Sequence, residues 1–269
     1  MPSRPTSFAD GKLLAFHDGA IGRIVFNKPD RLNAMSLDMW DGLRDALALF
    51  QTEDDIRAVV LSGAGDRAFV SGADITEFDE MRASDTGIRN YNERYEGADA
   101  ALYAFPKPTI AQLHGFCVGG GMAIALSCDI RICAEGTRMG IPAAKLGLGY
   151  GYQGVRRLRS VVGPAIASEI LFSARMLDAA EALTHGLVNR VVPASDLETE
   201  VNGLAAAVAG NAPLTIEAAK AAVQAAGSDT ADAAADRMNA LATACSMSAD
   251  YAEGRQAFAE KRAPVFRRR

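Results

Sequence analysis

The segment from Leu113 to Ala134 constrains the fold of this chain more than any other. It reads LHGFCVGGGMAIALSCDIRICA, where a short apolar run leads into three glycines, an apolar helix-forming stretch and a second apolar run. A strand, a tight turn, a helix and another strand in this order are typical of an α/β protein. The sequence therefore predicts α/β architecture rather than a bundle or a sandwich.

The beginning of the chain departs from a simple alternation of strands and helices. Residues Lys12 to Phe26 alternate in polarity around Asp18-Gly19 and predict a hairpin of two strands. Ser36 is predicted to accept hydrogen bonds from the first turn of a helix, and Arg57 to Ser62 to form a buried strand. With a further helix over about residues 86–104, the pattern favours a spiral of strand-strand-helix units.

The chain changes character near Pro193. Beyond it the sequence is rich in alanine, has leucines at helical spacing and contains no strand-like run, so residues 194–269 are predicted to be helical. We therefore divide the chain into a spiral core, residues 1–193, and a helical region, residues 194–269, that packs on its own core or on a neighbouring subunit. The final Arg267 to Arg269 are predicted to be a solvated tail.

Composition excludes several classes of function. The formal net charge of −5 supplies no overall basic field for nucleic acid. The four cysteines and three histidines show no CxxC pair and no metal-ligand spacing, so no metal site is expected. The opening MPSRPTSFAD is too polar for a secretory signal, and Asp129 and Arg131 interrupt the longest apolar stretch, so neither export nor a membrane span is expected. We expect a cytoplasmic protein.

Two glycine-bearing segments are the strongest candidates for a binding site. They are SGADI, from Ser71 to Ile75, and the turn Gly119 to Gly121 that opens the predicted helix. The start of a helix presents unpaired backbone N–H groups and the positive end of the helix dipole, which together stabilise an anion. Tight packing of the helix on a strand explains the same glycines, so both interpretations stay open.

Taken together, the two segments resemble the crotonase superfamily, also called the enoyl-CoA hydratase/isomerase family. The resemblance extends from about Leu13 to Phe266 and includes the motifs NKPDRLNAM, FPKPTIAQLHG, MGIPAAKLGLGYG and EALTHGLVNRVVP. It implies a spiral of strand-strand-helix turns with a helical C-terminal region, assembled as homotrimers or dimers of trimers. It also implies an acyl-CoA thioester as substrate and no cofactor other than the CoA that the substrate carries.

The same resemblance assigns roles to individual residues. It implies an oxyanion hole made of the backbone N–H groups of Ala73 and Gly120, which would hold the thioester oxygen as negative charge grows on it. It also implies that the substrate lies along a larger set of residues: Arg31, Leu32, Ala34, Ser71, Asp74, Ile75, Gly119, Ala123 and Ala143. Arg31 is either a phosphate partner or an exposed loop cation.

This chain departs from the hydratase pattern at both acid-base positions. Ala123 stands where hydratases have the glutamate of GGGxE, and Ala143 stands where they have the glutamate that follows proline. A positioned general acid or base is typically worth about 10²- to 10⁴-fold in rate, so we expect hydration to be strongly impaired. The enzyme is therefore expected to be a lyase or isomerase of acyl-CoA metabolism that works through an enolate, with decarboxylation or another enolate reaction favoured over hydration.

Tyr150 is the candidate to replace the missing glutamates, and a packing role for it stays open. The methylmalonyl-CoA decarboxylase branch resembles this chain in having a tyrosine here, although it has histidine where Ala73 stands. Tyr152 is a weaker candidate in the same loop. A weak hydratase and a noncatalytic acyl-CoA-binding protein are the alternative functions.

Other side chains that could react have structural explanations. His114 is predicted to be a hydrogen-bonded core histidine. Asp129 is predicted to bind nearby backbone N–H groups, and His185 to end a helix. Cys117 is predicted to be a small buried side chain.

Overall fold

In the computed structural model, which describes residues 2–74, 85–227 and 231–269, the strands form a seven-stranded sheet and a three-stranded sheet. The large sheet has the order β1-β2-β3-β4-β6-β8-β10, and the small sheet has the order β5-β7-β9. The strands are β1 (Thr6–Phe8), β2 (Leu13–Asp18), β3 (Ile21–Phe26), β4 (Ala58–Gly63), β5 (Ala68–Val70), β6 (Thr109–Leu113), β7 (Phe116–Val118), β8 (Ile130–Ala134), β9 (Arg138–Gly140) and β10 (Arg190–Val192).

Helices connect successive pairs of strands and then make up most of the C-terminal part. They are α1 (Leu37–Thr52), α2 (Asp85–Tyr103), α3 (Gly120–Ser127), α4 (Tyr152–Ser173), α5 (Ala179–Thr184), α6 (Leu197–Ala209), α7 (Pro213–Ala226), α8 (Ala231–Ser246) and α9 (Ala249–Glu260). Helix α4 is broken at Gly163, where φ is 75° and Pro164 follows. Short 3₁₀ helices cover Ala9–Gly11, Pro29–Arg31 and Pro142–Leu146.

The predicted spiral is confirmed by how the strands alternate between the two sheets. From β4 onward the chain places one strand in the large sheet and the next in the small sheet, and these pairings are parallel. Parallel neighbours need a crossover connection, which β5 with α2 and β7 with α3 provide. The start of α3 and the loops that follow β5 and β9 therefore lie on the same side of the molecule, where the candidate site is.

The main core lies between the two sheets and the helices. Trp40, Leu43 and Leu47 recur at helical spacing along α1 and are at most 2% exposed, which explains why this segment is a helix docked on the sheet. On the other side of the large sheet, Leu197 and Val201 of α6 pack against the strands. Burial of each large apolar side chain contributes about 1.5–3 kcal/mol, so these two layers stabilise the fold from both faces of the sheet.

The N-terminal hairpin is confirmed, whereas the predicted cap of α1 is wrong in detail. Strands β2 and β3 pair antiparallel across a turn at Gly19, which has a φ of 57°. Ser36 does precede α1, but its side chain accepts no capping hydrogen bond. Its hydroxyl donates instead to the Asp38 carboxylate, which Lys12 also contacts at 2.7 Å. The Ser36 hydroxyl therefore binds the Asp38 carboxylate, which Lys12 also binds, instead of the backbone of α1.

Helices α6 to α9 follow Val192, in agreement with the sequence pattern, but the last helix ends at Glu260 and residues 261–269 are not helical. The division into a core and an assembly region remains a prediction. The prediction of a solvated arginine tail is wrong for Arg268, whereas Arg267 and Arg269 are exposed. The Asp250 carboxylate accepts hydrogen bonds from the backbone N–H groups of Arg267 and Arg268, at 2.6 and 2.9 Å. The Arg268 guanidinium also contacts Asp54 and Glu217, because the fold brings acidic groups to the tail.

Among the helices that the structure describes, none combines the length and the apolar character needed to cross a bilayer.

Candidate functional site

The glycines at the start of α3 have different structural roles. One allows the helix to pack closely on a strand, and another leaves a backbone N–H group without an intrahelical partner. Gly119 has φ 53° and ψ −106°, a conformation that side-chain-bearing residues rarely adopt, and its N–H donates to the Gly140 carbonyl at 2.9 Å. A Cβ on Gly121 would overlap the Val70 carbonyl oxygen. Tight helix-strand packing therefore explains Gly121, whereas Gly120 begins the helix with an N–H that has no intrahelical partner.

The segment from Ser71 to Asp74 lies beside this turn. Met35 donates to the Gly72 carbonyl at 2.8 Å and accepts from the Asp74 N–H at 2.9 Å. In such a parallel bridge the N–H of the intervening Ala73 points away from Met35, and no acceptor for it is found among the described residues. A Cβ placed on Gly120 would lie 3.8 Å from the Gly72 carbonyl carbon, so the two segments are in direct contact.

The predicted CoA-binding loop runs alongside the same segment. Asn33 is fully buried, and its amide donates to the carbonyls of Ala64 and Ala68 at 3.0 and 2.7 Å. These contacts hold the loop, and Leu32 accepts a hydrogen bond from the Ser71 N–H at 3.1 Å. Ala34 is 9% exposed and joins the same loop. The structure thus brings Leu32 and Ala34 next to Ser71.

Arg31 and Asp74 have different surroundings in this region. Arg31 is exposed, as either of its two interpretations requires. Asp74 is 7% exposed and forms an ion pair with Lys28, a partner that sequence reasoning missed. Lys28 belongs to the NKPDRLNAM motif. Its place in this motif could have indicated that Lys28 lies near the other predicted site residues. Ile75, the remaining predicted contact, lies outside the described residues.

Ala123 and Ala143 are both buried on elements tied to Gly119. Ala123 is 1% exposed in the first turn of α3, where its N–H donates to the Gly119 carbonyl at 3.1 Å. Ala143 is 8% exposed in the 3₁₀ helix that follows Gly140, the residue whose carbonyl accepts the Gly119 N–H. The two positions therefore belong to the same region as the glycine turn, and neither offers a carboxylate.

Tyr150 places a buried hydroxyl in this region. Its ring lies against Gly154, where an added Cβ would be 2.6 Å from the Tyr150 Cε1 atom. The Oη atom is buried and has no hydrogen-bond partner within the described part of the chain. Burial raises the pKa of this phenol well above its ordinary value, so the hydroxyl stays protonated at neutral pH. Tyr152, by contrast, is 71% exposed at the start of α4.

A buried polar cluster beside Ala123 was missed by sequence reasoning. Asp99 of α2 accepts a hydrogen bond from the Ser127 hydroxyl at 2.6 Å and forms an ion pair with Arg157 of α4. The Arg157 guanidinium also lies 4.4 Å from the centre of the Tyr103 ring. These residues are far apart in the chain and share no motif, so no sequence signal joined them.

The side chains with predicted structural roles mostly have them. Asp129 accepts the Thr109 N–H at 2.7 Å, and His185 ends α5. Cys117 is fully buried, which raises the pKa of its thiol. The His114 Nε2 atom has no hydrogen-bond partner among the described residues, and burial lowers the pKa of this side chain.

No group of three or more His, Cys, Asp or Glu side chains suited to holding a metal ion occurs in the described part of the molecule.

Comparison with known proteins identifies the family of the chain. Residues 17–269 match the family model for Enoyl-CoA hydratase/isomerase. The short-chain-enoyl-CoA hydratase of Clostridium acetobutylicum is 34% identical over 91% of this chain and 93% of its own length. The crotonyl-CoA hydratase of Syntrophomonas wolfei is 32% identical over 90% of this chain and 93% of its own. A crystal structure of an enoyl-CoA hydratase/carnithine racemase from Magnetospirillum magneticum superposes with a TM-score of 0.91 and 38% identity, covering 97% of each chain.

The fold and the glycine-lined site thus define a crotonase-fold protein. The chain belongs to the enoyl-CoA hydratase/isomerase family of the crotonase superfamily, whose members act on acyl-CoA.

Proposed function

We propose that this protein is an enzyme that converts an acyl-CoA thioester through an enolate, with decarboxylation or another enolate reaction favoured over hydration. The observation that carries the proposal is the contact between the Gly72-Ala73 segment and Gly120, with two backbone N–H groups that lack acceptors in the described part of the chain. Ala73 and Gly120 are half-buried, so neither residue is sealed inside the core. One such donor is worth on the order of 3–4 kcal/mol to a developing oxyanion.

The substrate's CoA portion would lie along the loop of Arg31, Leu32 and Ala34. This loop is hydrogen-bonded to Ser71, so a nucleotide held there leads its thioester toward Ala73. Arg31 is exposed and would contact a phosphate, and Asp74 with Lys28 would close the same side. CoA enters as part of the substrate, and we propose no further cofactor. Assembly as a homotrimer or dimer of trimers and a cytoplasmic location are proposed with the function.

Decarboxylation suits a site with Ala123 and Ala143 because it needs no base to remove a proton from carbon. In a malonyl-type thioester the bond between the α-carbon and the carboxylate breaks, carbon dioxide leaves, and the electron pair forms the enolate. The Ala73 and Gly120 N–H groups would hold the enolate oxygen. Tyr150, whose buried hydroxyl lacks a protein partner in the described residues, would donate a hydrogen bond to the enolate, or would give its proton to the α-carbon and regain one from solvent after the product leaves.

The decisive experiment compares thioester substrates on the purified protein. Malonyl-CoA, methylmalonyl-CoA and crotonyl-CoA are incubated in parallel, with mass spectrometry of the CoA products and measurement of released carbon dioxide. We expect decarboxylated product from a malonyl-type thioester and little hydration of crotonyl-CoA. Crotonyl-CoA turnover at ordinary hydratase rates, retained after repurification, would overturn the proposal.

Hydration is the second candidate, and the names of the similar proteins favour it, since several of them are hydratases. A weak hydratase predicts that restoring carboxylates at the two alanines raises hydration of crotonyl-CoA. The test is the variant Ala123→Glu/Ala143→Glu, with CoA-thioester binding measured in parallel. Unchanged hydration with intact binding would eliminate this candidate, and binding without any product from a broad thioester panel would indicate a noncatalytic acyl-CoA-binding protein.

A further inference from the structure

Asn33 has a backbone conformation that needs support from the rest of the fold. Its φ is 56° and that of Leu32 is 53°, so two successive residues with side chains lie in the left-handed region. Residues other than glycine are uncommon there, and such strain persists only where the surrounding structure fixes it. Asn33 is fully buried, so the contacts of its side chain show what fixes this turn.

The Asn33 amide uses both of its polar atoms to fix the turn. Its Oδ1 atom accepts a hydrogen bond from the Lys28 N–H at 2.9 Å, and its nitrogen donates to the carbonyls of Ala64 and Ala68 at 3.0 and 2.7 Å. Gly63 leaves room for this contact, because a Cβ on it would lie 2.7 Å from the Asn33 amide nitrogen. The amide therefore joins the turn to the residue after β4 and to the first residue of β5.

The turn that Asn33 fixes makes the backbone contacts of the segment from Ser71 to Asp74. Leu32 accepts a hydrogen bond from the first N–H of this segment at 3.1 Å. Met35 donates to the carbonyl of the residue before Ala73 at 2.8 Å and accepts from the N–H of the residue after it at 2.9 Å. Because these bonds enclose Ala73, the turn sets the direction in which the Ala73 N–H points.

An ion pair adds a side-chain contact between the same two parts of the chain. The Lys28 ammonium pairs with the carboxylate of Asp74, which is 7% exposed and follows Ala73 directly. Asn33 Oδ1 binds the backbone of Lys28, so one amide supports both the backbone and the side-chain contacts to this segment. Pairing of two buried carbonyls explains the Asn33 nitrogen, whereas the contacts of its oxygen lead toward Ala73.

We propose that Asn33 is a positioning residue for the Ala73 N–H group. Its amide fixes the left-handed turn to which the segment from Ser71 to Asp74 is bonded, and thereby directs the Ala73 N–H at the thioester oxygen. The contact between Ala73 and a thioester rests on the proposed function, whereas the contacts of Asn33 do not. A residue that served stability alone would leave a bound thioester unchanged in every folded variant.

The loop proposed to bind CoA keeps its own hydrogen bonds without this amide. The Leu32 N–H donates to the Pro29 carbonyl and the Ala34 N–H donates to the Arg31 carbonyl, both at 3.0 Å. Neither bond involves the Asn33 side chain. Loss of the amide is therefore expected to change the polarisation of the thioester more than the affinity for CoA.

The experiment measures the carbonyl stretch of acetyl-CoA, labelled with carbon-13 at the carbonyl, bound to the full-length protein. A hydrogen bond to the carbonyl oxygen weakens the C=O bond, so we expect the wild-type protein to lower the infrared frequency relative to free acetyl-CoA. Asn33→Asp replaces the donating nitrogen by an oxygen and is expected to lose most of this shift. On the thioester that reacts, kcat is expected to fall by about 10²-fold.

Asn27→Asp is the matched control. Asn27 belongs to the same motif, but its amide donates to the Gly11 carbonyl at 2.8 Å, away from Ala73. This variant is expected to keep the full frequency shift. The dissociation constant of free CoA, measured by calorimetry, is expected to change little in either variant.

Asn33→Gly is the second variant, in case the buried carboxylate of Asn33→Asp prevents folding. Glycine adopts a φ near that of Asn33 without strain and lacks the amide, so it is expected to lose the shift as well. A folded Asn33 variant that unfolds at a lower temperature but keeps the full shift would overturn the proposal and make Asn33 a purely structural residue.

Gly120→Pro separates failure of this inference from failure of the proposed function, because it removes the other backbone donor without touching Asn33. If Gly120→Pro loses the frequency shift and the Asn33 variants keep it, only the inference fails. If acetyl-CoA binds to the wild-type protein without any shift, the proposed oxyanion hole fails and the inference fails with it.

Discussion

The two sides of the candidate site differ in the groups they present, which are backbone N–H groups on one side and side chains on the other. On one side, Ala73 and Gly120 offer backbone N–H groups, whose presence does not depend on side-chain identity. The other side presents side chains, with alanine at positions 123 and 143 and a buried phenol at position 150. Under the proposed function, the backbone N–H groups would hold the enolate oxygen, and the side chains would determine which reaction follows the enolate.

The largest effect is expected on the backbone side. Gly120→Pro removes one N–H donor at the first position of α3, where proline is compatible with a helix. We expect turnover to fall by about 10²- to 10³-fold. Gly120→Ala is the matched control, because it makes the same Cβ contact with Trp40, at 3.2 Å, and keeps the N–H. Turnover is measured as kcat on the best thioester. Equal losses of kcat in the two variants would show that the Gly120 N–H does not take part in the reaction.

The next largest effect is expected on the side-chain side. Tyr150→Phe removes a buried hydroxyl that has no partner among the described residues, so stability should be unchanged or higher while turnover falls by about 10²-fold. Tyr152→Phe, at an exposed position two residues away at the start of α4, should leave both quantities unchanged. Thermal unfolding and kcat are measured on each variant. A loss of stability without loss of turnover would make Tyr150 a packing residue.

A smaller effect, on the free energy of unfolding, is expected for the glycine that packs against β5. Gly121→Ala places a Cβ against the Val70 carbonyl oxygen, and overpacking of this kind costs about 1–3 kcal/mol. Gly149→Ala is the control, since nothing lies within 4 Å of the position of its Cβ. The free energy of unfolding from urea titration should fall for Gly121→Ala only. Wild-type stability in that variant would contradict the close packing of α3 on β5.

The smallest effect is expected far from the site, at the C-terminal tail. Arg268→Ala breaks contacts with Glu217 and with Asp54, whose side chain is 82% exposed. Ion pairs of this kind contribute about 0.2–1 kcal/mol, so the free energy of unfolding should fall slightly and less at high salt. Turnover should be unaffected. A loss of turnover in Arg268→Ala would show that the C-terminal tail influences the candidate site, and would contradict the assignment of the reaction to the two sides of that site.

Local patterns predicted the elements of the fold well and their side-chain contacts poorly. The β2-β3 hairpin and α2 follow from alternation and from breaker residues, which act over a few positions. The cap of Ser36 and the tail of Arg268 were predicted wrongly because each side chain found a partner that local sequence does not reveal. A hydroxyl or a guanidinium binds the nearest suitable acceptor in space, whatever the separation along the chain.

The candidate site divides in the same way. The sequence alone determined the glycine turn, the NKPDRLNAM motif and the absence of carboxylates at positions 123 and 143, because these are properties of single residues and short motifs. Only the tertiary structure decided that Lys28 pairs with Asp74 across 46 positions and Arg157 with Asp99 across 58. Charges buried together must compensate each other, and which charges are buried together is fixed by how the sheets and helices pack.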